Sequence, residues 1–313
     1  MLILKLTKAL SDPTRLRLAA LLLAFELNVG ELVSVLGLAQ SRVSNHLRIL
    51  AGCGLAVSRR DGLWVYYRAA DEGPARTFLA ALRPLLLAED DIRRDAAAAA
   101  RVVAERTRES RKFFDALADE WSALSREILG DFDLTAYVSA LLPEVGTAVD
   151  LGCGPGELVP ALSARARRVI GVDQSPNMLA AARQRFGEDE RIEFRLGELE
   201  HPPLREGEAD AALFCLCLHH LAAPARGIEE ATRCLAPGGH LLVVEFEGHQ
   251  REEMRTRHGD RWLGFDPADV GAWLSQAGFC PPEISRKALP SGLTLVFYRS
   301  RKAAAPTACA NLH

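Results

Sequence analysis

The run Val149-Asp150-Leu151-Gly152-Cys153-Gly154-Pro155-Gly156 limits what this chain can fold into more than any other feature. It follows an apolar stretch that reads as a strand and precedes one that reads as a helix. Glycines at alternate positions let the chain turn tightly and let a ligand approach the backbone closely. A further acid, Asp173, ends the next strand 21 positions after Gly152, where a carboxylate can accept hydrogen bonds from ribose hydroxyls. Residues 147–151, 168–172, 192–196, 209–218 and 240–246 read as strands, and 157–164, 176–186 and 227–235 as helices. A helix over 267–278 and a strand over 293–299 follow. Short apolar strands separated by helices predict a parallel sheet covered on both faces, an α/β Rossmann-like domain.

The N-terminal region reads differently. Ser11 or Asp12 can cap a helix that starts near Pro13, with Leu16, Ala19, Ala20 and Leu23 as its apolar face. A short helix over 31–36, the turn Gly37-Leu38-Ala39 and a helix over 40–51 come next. Residues 55–60 and 63–68 then flank Asp61-Gly62, a strong hairpin signal. This order predicts a winged helix-turn-helix, mainly helical with a β-hairpin wing. In its second helix Val43, Leu47 and Leu50 turn toward the core. Gln40, Ser41, Arg42, Ser44, Asn45 and Arg48 are left on the outer face, able to bond base edges and phosphates of double-stranded DNA. Arg59 and Arg60 stand before the wing turn, suited to a DNA backbone or minor groove. His46 reads as packed or phosphate-facing rather than as a metal ligand. A winged fold used only for protein contact is the alternative.

Charge supports the nucleic-acid reading. Residues 1–70 hold nine Lys or Arg against four Asp or Glu, a balance of +5; the rest hold 29 against 37, or −8, which together make the net −3. A basic head on an acidic body suits contact with nucleic acid at one end. Between the two regions, Pro74 opens a helix over 75–87, and residues 89–126 lack Pro and Gly, so helix propensity is high. Leu82, Leu85 and Leu86 could face a partner subunit in a homodimer or pack back on their own chain. The expected plan is a winged domain over 1–72, a helical dimerisation or connector region over 73–126, a second domain over 127–302 and a flexible tail over 303–313. The apolar runs 18–25 and 211–218 are far short of the ~20 residues that span a bilayer, and residues 1–6 are too short for a secretory core. Seven scattered cysteines without a CxxC pair fit reduced thiols. No membrane partner and a cytoplasmic location are expected.

Three stretches in order carry a resemblance. Ala9-Leu10-Ser11-Asp12-Pro13-Thr14-Arg15-Leu16-Arg17, Ser41-Arg42-Val43-Ser44-Asn45-His46-Leu47 and Gly62-Leu63-Trp64-Val65-Tyr66-Tyr67-Arg68 resemble the ArsR/SmtB family of bacterial repressors over about residues 5–88. The resemblance implies a homodimer on a palindromic operator. Many members release DNA when a metal or metalloid binds, one such site being a Cys-x-Cys pair at the start of the first helix of the DNA-binding motif. Here Asn28 and Gly30 occupy those positions, and neither replaces a soft sulfur ligand. Sites on the family's last helix pair Asp with His; Asp90, Asp91 and Asp95 are available, but no histidine stands between His46 and His201. Metal sensing is not expected.

The second region, from about Phe113 to Phe279, resembles the class I methyltransferases, in particular the ubiquinone/menaquinone C-methyltransferase group. The resemblance rests on Phe113-Phe114-Asp115-Ala116-Leu117-Ala118-Asp119-Glu120-Trp121, the glycine loop, Gly171-Val172-Asp173-Gln174-Ser175 and Asn177-Met178-Leu179. It continues through Leu218-His219-His220-Leu221 and Arg233-Cys234-Leu235-Ala236-Pro237-Gly238-Gly239. It implies that S-adenosylmethionine binds, with S-adenosylhomocysteine as product. Asp150 would lie near the methionine amino group, Asp173 would hold the ribose, and Glu198 and Leu199 would border the adenine. Gly152, Cys153, Gly154, Gly156, Gln174 and Met178 complete the expected cofactor set. Glu198 stands where members more often have Asp. A nicotinamide-dependent dehydrogenase is the competing use of such a loop, and the surrounding motifs favour methyl transfer. The fusion also resembles a bacterial group of ArsR-type regulators with a C-terminal methyltransferase domain, which shares the segment Gly259-Asp260-Arg261-Trp262-Leu263-Gly264-Phe265.

Methyl transfer needs an acceptor aligned with the methyl group, and a base when the acceptor carries a proton. His219 and His220 lie just beyond the strand that edges such a pocket, so either is a candidate base, with a structural role as the alternative. Cys215 and Cys217 read as core residues sharing one side of a strand; with Cys153 they do not make a visible thiol cluster for arsenite. His249 and Glu253 stand one helical turn apart if a helix covers them, with His258 beyond, but such pairs are common on solvated faces and no metal is expected. His249, Trp262 and Phe265 are candidates for the wall of an acceptor pocket, with core packing as the equal alternative for Trp262 and Phe265. Three functions remain. One is a regulator with a methyltransferase domain acting on an unknown small molecule; the second is a non-catalytic repressor sensing S-adenosylmethionine or its product. The third is a metabolic methyltransferase with a subsidiary DNA-binding role.

Overall fold

The computed structural model describes residues 1–61, 63–118 and 120–303. Gly62 of the wing turn, Asp119 of the 113–121 motif and the tail from 304 onward lie outside the described residues. The chain divides into two compact units, Met1–Thr107 and a second that begins at Arg108.

In the first unit, α1 (Leu2–Ala9) and α2 (Pro13–Leu22) lead to the short β1 (Leu27–Asn28), then α3 (Val29–Leu36) and α4 (Gln40–Gly52). β2 (Ala56–Asp61) and β3 (Trp64–Ala69) form the wing, and the sheet order is β1-β3-β2, antiparallel throughout. Local chemistry sets the boundaries. Asp12 accepts the Arg15 N–H at 3.1 Å and Pro13 takes the first turn of α2, where its missing N–H costs nothing. Gly37, at φ +66°, ends α3 and makes the turn into α4. Leu18, Leu32, Val43, Leu47 and Leu50 are fully buried between these helices. After α5 (Gly73–Ala88), the start of α6 (Asp90–Leu117) closes the same core through Ala99. Arg17 holds the buried Asp95 with both nitrogens, at 2.6 and 2.7 Å, and Arg106 donates to Glu31 at 2.7 Å. The alanine-rich stretch therefore packs on its own chain here. Of the leucine stripe, Leu82 and Leu86 turn inward and Leu85 outward. Helix does not run unbroken to 126, because α6 ends at Leu117.

The second unit continues with α7 (Trp121–Leu129) and α8 (Leu134–Leu141). Next come β4 (Val145–Leu151), α9 (Val159–Ser163), β5 (Ala166–Asp173), α10 (Pro176–Phe186), β6 (Ile192–Leu196) and β7 (Ala209–Cys215). A single 3-10 turn (Leu218–His220) leads to α11 (Pro224–Cys234), β8 (Leu235–Phe246), α12 (Glu253–Arg257), α13 (Pro267–Gln276), β9 (Glu283–Ala288) and β10 (Thr294–Arg301). The seven-stranded sheet has the order β6-β5-β4-β7-β8-β10-β9. The first five strands are parallel; β10 runs antiparallel to both β8 and β9. The sheet is thus Rossmann-like with an antiparallel edge rather than wholly parallel. The chain leaves β4 for β5 on one side and returns to β7 on the other. That reversal opens a crevice at the carboxyl ends of β4 and β7, where open α/β sheets bind ligands. Pro237-Gly238-Gly239 lies inside the span of β8, and β7 stops before Cys217. Among the described residues, no helix is long and apolar enough to cross a membrane.

Candidate functional site

The outer face of α4 is built as its spacing predicts. Val43, Leu47 and Leu50 are buried, while Gln40, Ser41, Arg42, Asn45 and Arg48 are exposed and Ser44 is half-buried. Arg42 keeps a long hydrogen bond to Thr14 Oγ1 at 3.3 Å, and Arg48 reaches Asn45 one turn back. On the wing, Arg60 is exposed, whereas Arg59 is half-buried and pairs with Glu26 at 3.3 Å. His46 is buried, with Nδ1 3.8 Å from Asp12. Asn28 caps α3: its Oδ1 accepts the Glu31 N–H at 3.0 Å, and Glu31 answers to the Asn28 N–H at 2.8 Å. A side chain at Gly30 would meet Asn28 Oδ1 at 3.3 Å. The two positions that stand in place of thiolates therefore serve a helix terminus.

In the second unit, β4 passes into a loop whose Gly152, Gly154 and Gly156 have φ of +86°, +51° and +80°. A Cβ at Gly152 would lie 2.8 Å from Cys217 Cβ, and one at Gly156 3.0 Å from the Phe186 ring. Asp173, at the end of β5, accepts the Gly154 N–H at 2.9 Å and the Ser175 N–H at 2.8 Å. Ser175 Oγ accepts the Met178 N–H at 3.1 Å, starting α10, and donates to Asp115 at 2.5 Å. The C-terminal turns of α6 are thereby pinned to the loop after β5, and Asn177 adds a bond to the Asp115 carbonyl at 3.0 Å.

These elements line a cavity that opens to solvent. Gly152, Gly154, Asp173, Gln174, Met178 and Leu199 line one side; Phe114, Trp121, Leu216, Cys217 and His220 line the other. Burial and the neighbouring Asp173 push the Asp150 carboxyl up to about 7. Burial also raises Asp173, against the pull of the N–H groups of Ser175, Gly154 and Gln174. Two neighbouring carboxylates that repel each other, one buried and one half-buried, are relieved by a cationic ligand, and Asp173 keeps lone pairs for hydroxyl donors. That donor set fits a ligand that carries an ammonium, a sulfonium and a ribose.

A second, small cavity shares Trp121, Leu216 and His220 with the first. Leu124, Ile128 and Leu129 of α7 give it an apolar side, and His219, His258 and Asp260 a polar one. Leu216 has φ +51°, the one non-glycine residue with positive φ among the described residues, and it sits on the shared wall. His219 Nδ1 donates to Glu245 Oε2 at 2.6 Å, its N–H donates to Glu245 Oε1 at 3.2 Å, and its Nε2 lies 3.6 Å from Asp260. Burial alone would lower the His219 pKa, but the carboxylates of Glu245 and Asp260 push it up to about 9. His220 Nδ1 donates to the Gly259 carbonyl at 3.1 Å. Burial, then the charge of His219, holds the His220 ring well below the ordinary histidine range.

The segment from Gly259 to Phe265 clamps this turn. Arg261 and Trp262 both donate backbone N–H groups to the His219 carbonyl at 3.0 Å, and Trp262 Nε1 donates to the Leu221 carbonyl at 2.8 Å. Gly259, at φ +74°, leaves no room for a Cβ, which would meet the Phe113 ring at 2.6 Å. Trp262 and Phe265 are fully buried and line neither of these two cavities, in keeping with the core-packing alternative. The reason is local: the Trp262 indole N–H is used inside the fold, and Phe265 packs edge-on against Trp273. His249 also lines neither cavity; it precedes α12, so it and Glu253 do not share a helical face. Among the expected cofactor residues, Asp150 and Cys153 are buried behind the lining, Gly156 packs on Phe186, and Glu198 is exposed. Cys215 and Cys217 line the first cavity rather than only filling core. Glu245 and Asp260 were not singled out from the sequence as site groups, and His258, weighed there with His249 and Glu253, lines the second cavity without them. A carboxylate inside the apolar run of β8 is the one signal that marks Glu245.

Residues 12–58 match the family model of bacterial regulatory proteins, arsR family, and residues 149–243 match a methyltransferase domain model. Over 86 residues the chain is 45% identical to the HTH-type transcriptional regulator CmtR of Mycobacterium tuberculosis, covering 28% of this chain and 72% of that one. Over 112 residues it is 32% identical to the demethylmenaquinone methyltransferase of Clavibacter sepedonicus, covering 36% of this chain and 46% of that one, so it spans less than half of that relative. Among solved structures, the Burkholderia thailandensis 1,6-didemethyltoxoflavin-N1-methyltransferase matches with a TM-score of 0.52 and 23% identity, over 64% of this chain and 90% of that one. The [4+2]-cyclase SpnF matches with a TM-score of 0.52 and 18% identity, over 62% and 95%. A methyltransferase and a cyclase are equally near, so these two establish the fold and leave the reaction open. The chain belongs to the arsR family of bacterial regulatory proteins and joins that family's winged helix-turn-helix to a methyltransferase domain.

Proposed function

We propose that the protein is a DNA-binding regulator that docks on operator DNA as a two-fold dimer and whose second unit binds S-adenosylmethionine and methylates a small molecule. The observation that carries the enzymatic part is the pair of adjoining cavities: one lined by Asp173 and a glycine loop with Asp150 buried behind the lining, the other largely apolar, with Trp121, Leu216 and His220 common to both. When bound, S-adenosylmethionine supplies an electrophilic methyl group on a sulfonium. Asp173 accepts from the ribose hydroxyls, and the charge of Asp150 favours the ammonium of the methionine moiety. Met178 and Leu199 give apolar contact to the adenine. α7 and Phe246 exclude water from the acceptor cavity, and the shared wall is where the acceptor atom meets the methyl group in line. His220 stands on that wall, and His219 lines the acceptor cavity beside it. The acceptor has the dimensions and polarity of a small, partly apolar molecule.

On the DNA side, α4 offers Arg42 and Arg48 to base edges and phosphates, with Arg60 on the wing. The exposed Leu2, Ile3 and Leu4 of α1 and Leu85 and Leu87 of α5 support a second copy as the partner that covers them. α6 belongs to both units by sequence, which favours communication between pocket and operator. Calorimetric titration of the full chain with S-adenosylmethionine, S-adenosylhomocysteine and NAD tests the pocket. Binding of the first two, loss in Asp173→Ala and no NAD binding are expected; wild-type affinity in the variant overturns the assignment. Operator titration with each nucleotide absent or saturating tests communication. A change of about 5–150-fold is expected, with DNA altering nucleotide affinity by the same factor. Identical curves reject communication and leave the two activities independent.

A further inference from the structure

We propose that His219, His220 and Asp260 form a binding site for one divalent transition-metal ion of the zinc–cobalt class, presented to the acceptor cavity. All three residues are buried, and one ligand atom from each lies within 4.8 Å of the other two. His219 Nε2 and Asp260 Oδ1 are already 3.6 Å apart. Ligands held ~2.0–2.1 Å from a tetrahedral ion stand only slightly closer than this, so small side-chain rotations complete the set.

The nitrogens that would not bind the ion are engaged as a metal site requires. A histidine ligand usually donates its other ring N–H to a carboxylate or a backbone carbonyl, which fixes the ring and frees the remaining nitrogen. His219 has Glu245 in that role at 2.6 Å, and His220 has the Gly259 carbonyl at 3.1 Å. A carbonyl can only accept, so the His220 proton sits on Nδ1 and Nε2 keeps its lone pair. The backbone holds both ligand segments together, because Arg261 and Trp262, the two residues that follow Asp260, both donate to the His219 carbonyl.

A separate observation points the same way. His258 is also more than nine-tenths buried, lines the same cavity, and has no hydrogen-bond partner for Nδ1 among the described residues. Two imidazoles and a carboxylate, without a thiolate, select zinc, cobalt, nickel or iron over soft ions. Three protein ligands leave a position for an oxygen or nitrogen of the acceptor, which the ion would polarise. That last role rests on the proposed methyl transfer; occupancy of the site does not.

Tag-free full-length protein, stripped with a chelator and titrated with Co²⁺, provides the test. One Co²⁺ per chain is expected, with visible bands that lack thiolate charge transfer and are displaced by Zn²⁺. Asp260→Ala and His220→Gln should each weaken Zn²⁺ binding by at least 30-fold, and Glu245→Gln by about 10–100-fold. His240→Ala, outside the cluster, should leave the titration unchanged. Folding of each variant is checked by thermal denaturation, and for Asp260→Ala and Glu245→Gln, which do not line the cofactor cavity, also by S-adenosylmethionine binding in the same samples. Retained nucleotide binding with lost metal binding supports the site, whatever the acceptor proves to be. The proposal is overturned by no stoichiometric binding in the wild type, by thiolate bands, or by undiminished affinity in both Asp260→Ala and His220→Gln. Lost nucleotide binding in wild type with intact metal binding would instead reject the cofactor reading alone.

Discussion

The two units handle polar groups in opposite ways. In the winged unit the proposed working side chains stand in water on one face of α4, and the ion pairs that hold the fold, Arg17 with Asp95 and Arg106 with Glu31, lie elsewhere. In the second unit the working groups are themselves buried: Asp150, His219, His220, Glu245 and Asp260 are each less than a tenth exposed. Burying a charge is costly unless partners compensate it, so such groups are tied into the fold that positions them. A surface reader can be altered one side chain at a time at little cost to the fold; in a buried site each change also draws on stability. Function and stability should therefore separate in the first unit and travel together in the second.

The strongest challenge to this contrast is at Gly152. With φ at +86° and Cys217 Cβ 2.8 Å from where a side chain would begin, Gly152→Val combines backbone strain with overpacking. A loss of about 2–5 kcal/mol of stability is expected, together with loss of measurable S-adenosylmethionine binding. Chemical denaturation and calorimetry read the two effects. A variant that keeps full stability while losing the nucleotide would show that this site, too, is separable from its fold.

Next in size is the recognition helix. Arg42→Ala and Arg48→Ala should each weaken specific operator binding by about 1–3 kcal/mol if the guanidinium makes a bidentate base contact. Melting temperature and nucleotide affinity should stay at wild-type values. Gel-shift titration at fixed salt measures the first quantity. Undiminished affinity in both variants would rule out this docking, and a large drop in stability would break the contrast from the other side.

The same difference governs what could be read from residue order. Amphipathic helices and a glycine loop are local patterns, so α4 with its exposed face and the loop with Asp173 were legible. The pairing of His219 with Glu245 joins residues 26 positions apart through the sheet, and nothing local announces it. For Trp262 and Phe265 the position after the strand ending at Phe246 leaves a pocket wall and core packing equally open, and only the fold shows their segment as a clamp whose aromatic groups are buried. β9 escaped because all six of its residues are exposed, so an edge strand of this kind has no buried face to pattern. α1 was not foreseen, its Leu6 and Ala9 turned inward and Leu2, Ile3 and Leu4 outward.

The smallest expected effect sharpens the contrast within the second unit, at a charged network on the outer strands. Arg195 donates to Glu208 at 2.8 and 3.1 Å and to Glu193 at 2.7 Å, and the Arg205 N–H adds a bond to Glu208 at 2.8 Å. The Arg195 side chain holds the Glu208 carboxyl down at about 2, well below an ordinary glutamate. A depressed folded-state pKa stabilises the protein above the unfolded value near 4.5, and the contribution fades as pH falls toward 2. Because Arg168 and Arg205 are solvated, screening limits the contribution to about 1–2 kcal/mol. Glu208→Gln should cost that much at pH 6.5, and the gap from wild type should narrow steadily as denaturation is repeated down to pH 3.5. Nucleotide affinity should not change, since neither residue lines the cofactor cavity. A gap that stays constant with pH would mean that the variant acts through packing, and that buried polar groups outside the pocket follow the same rule as those within it.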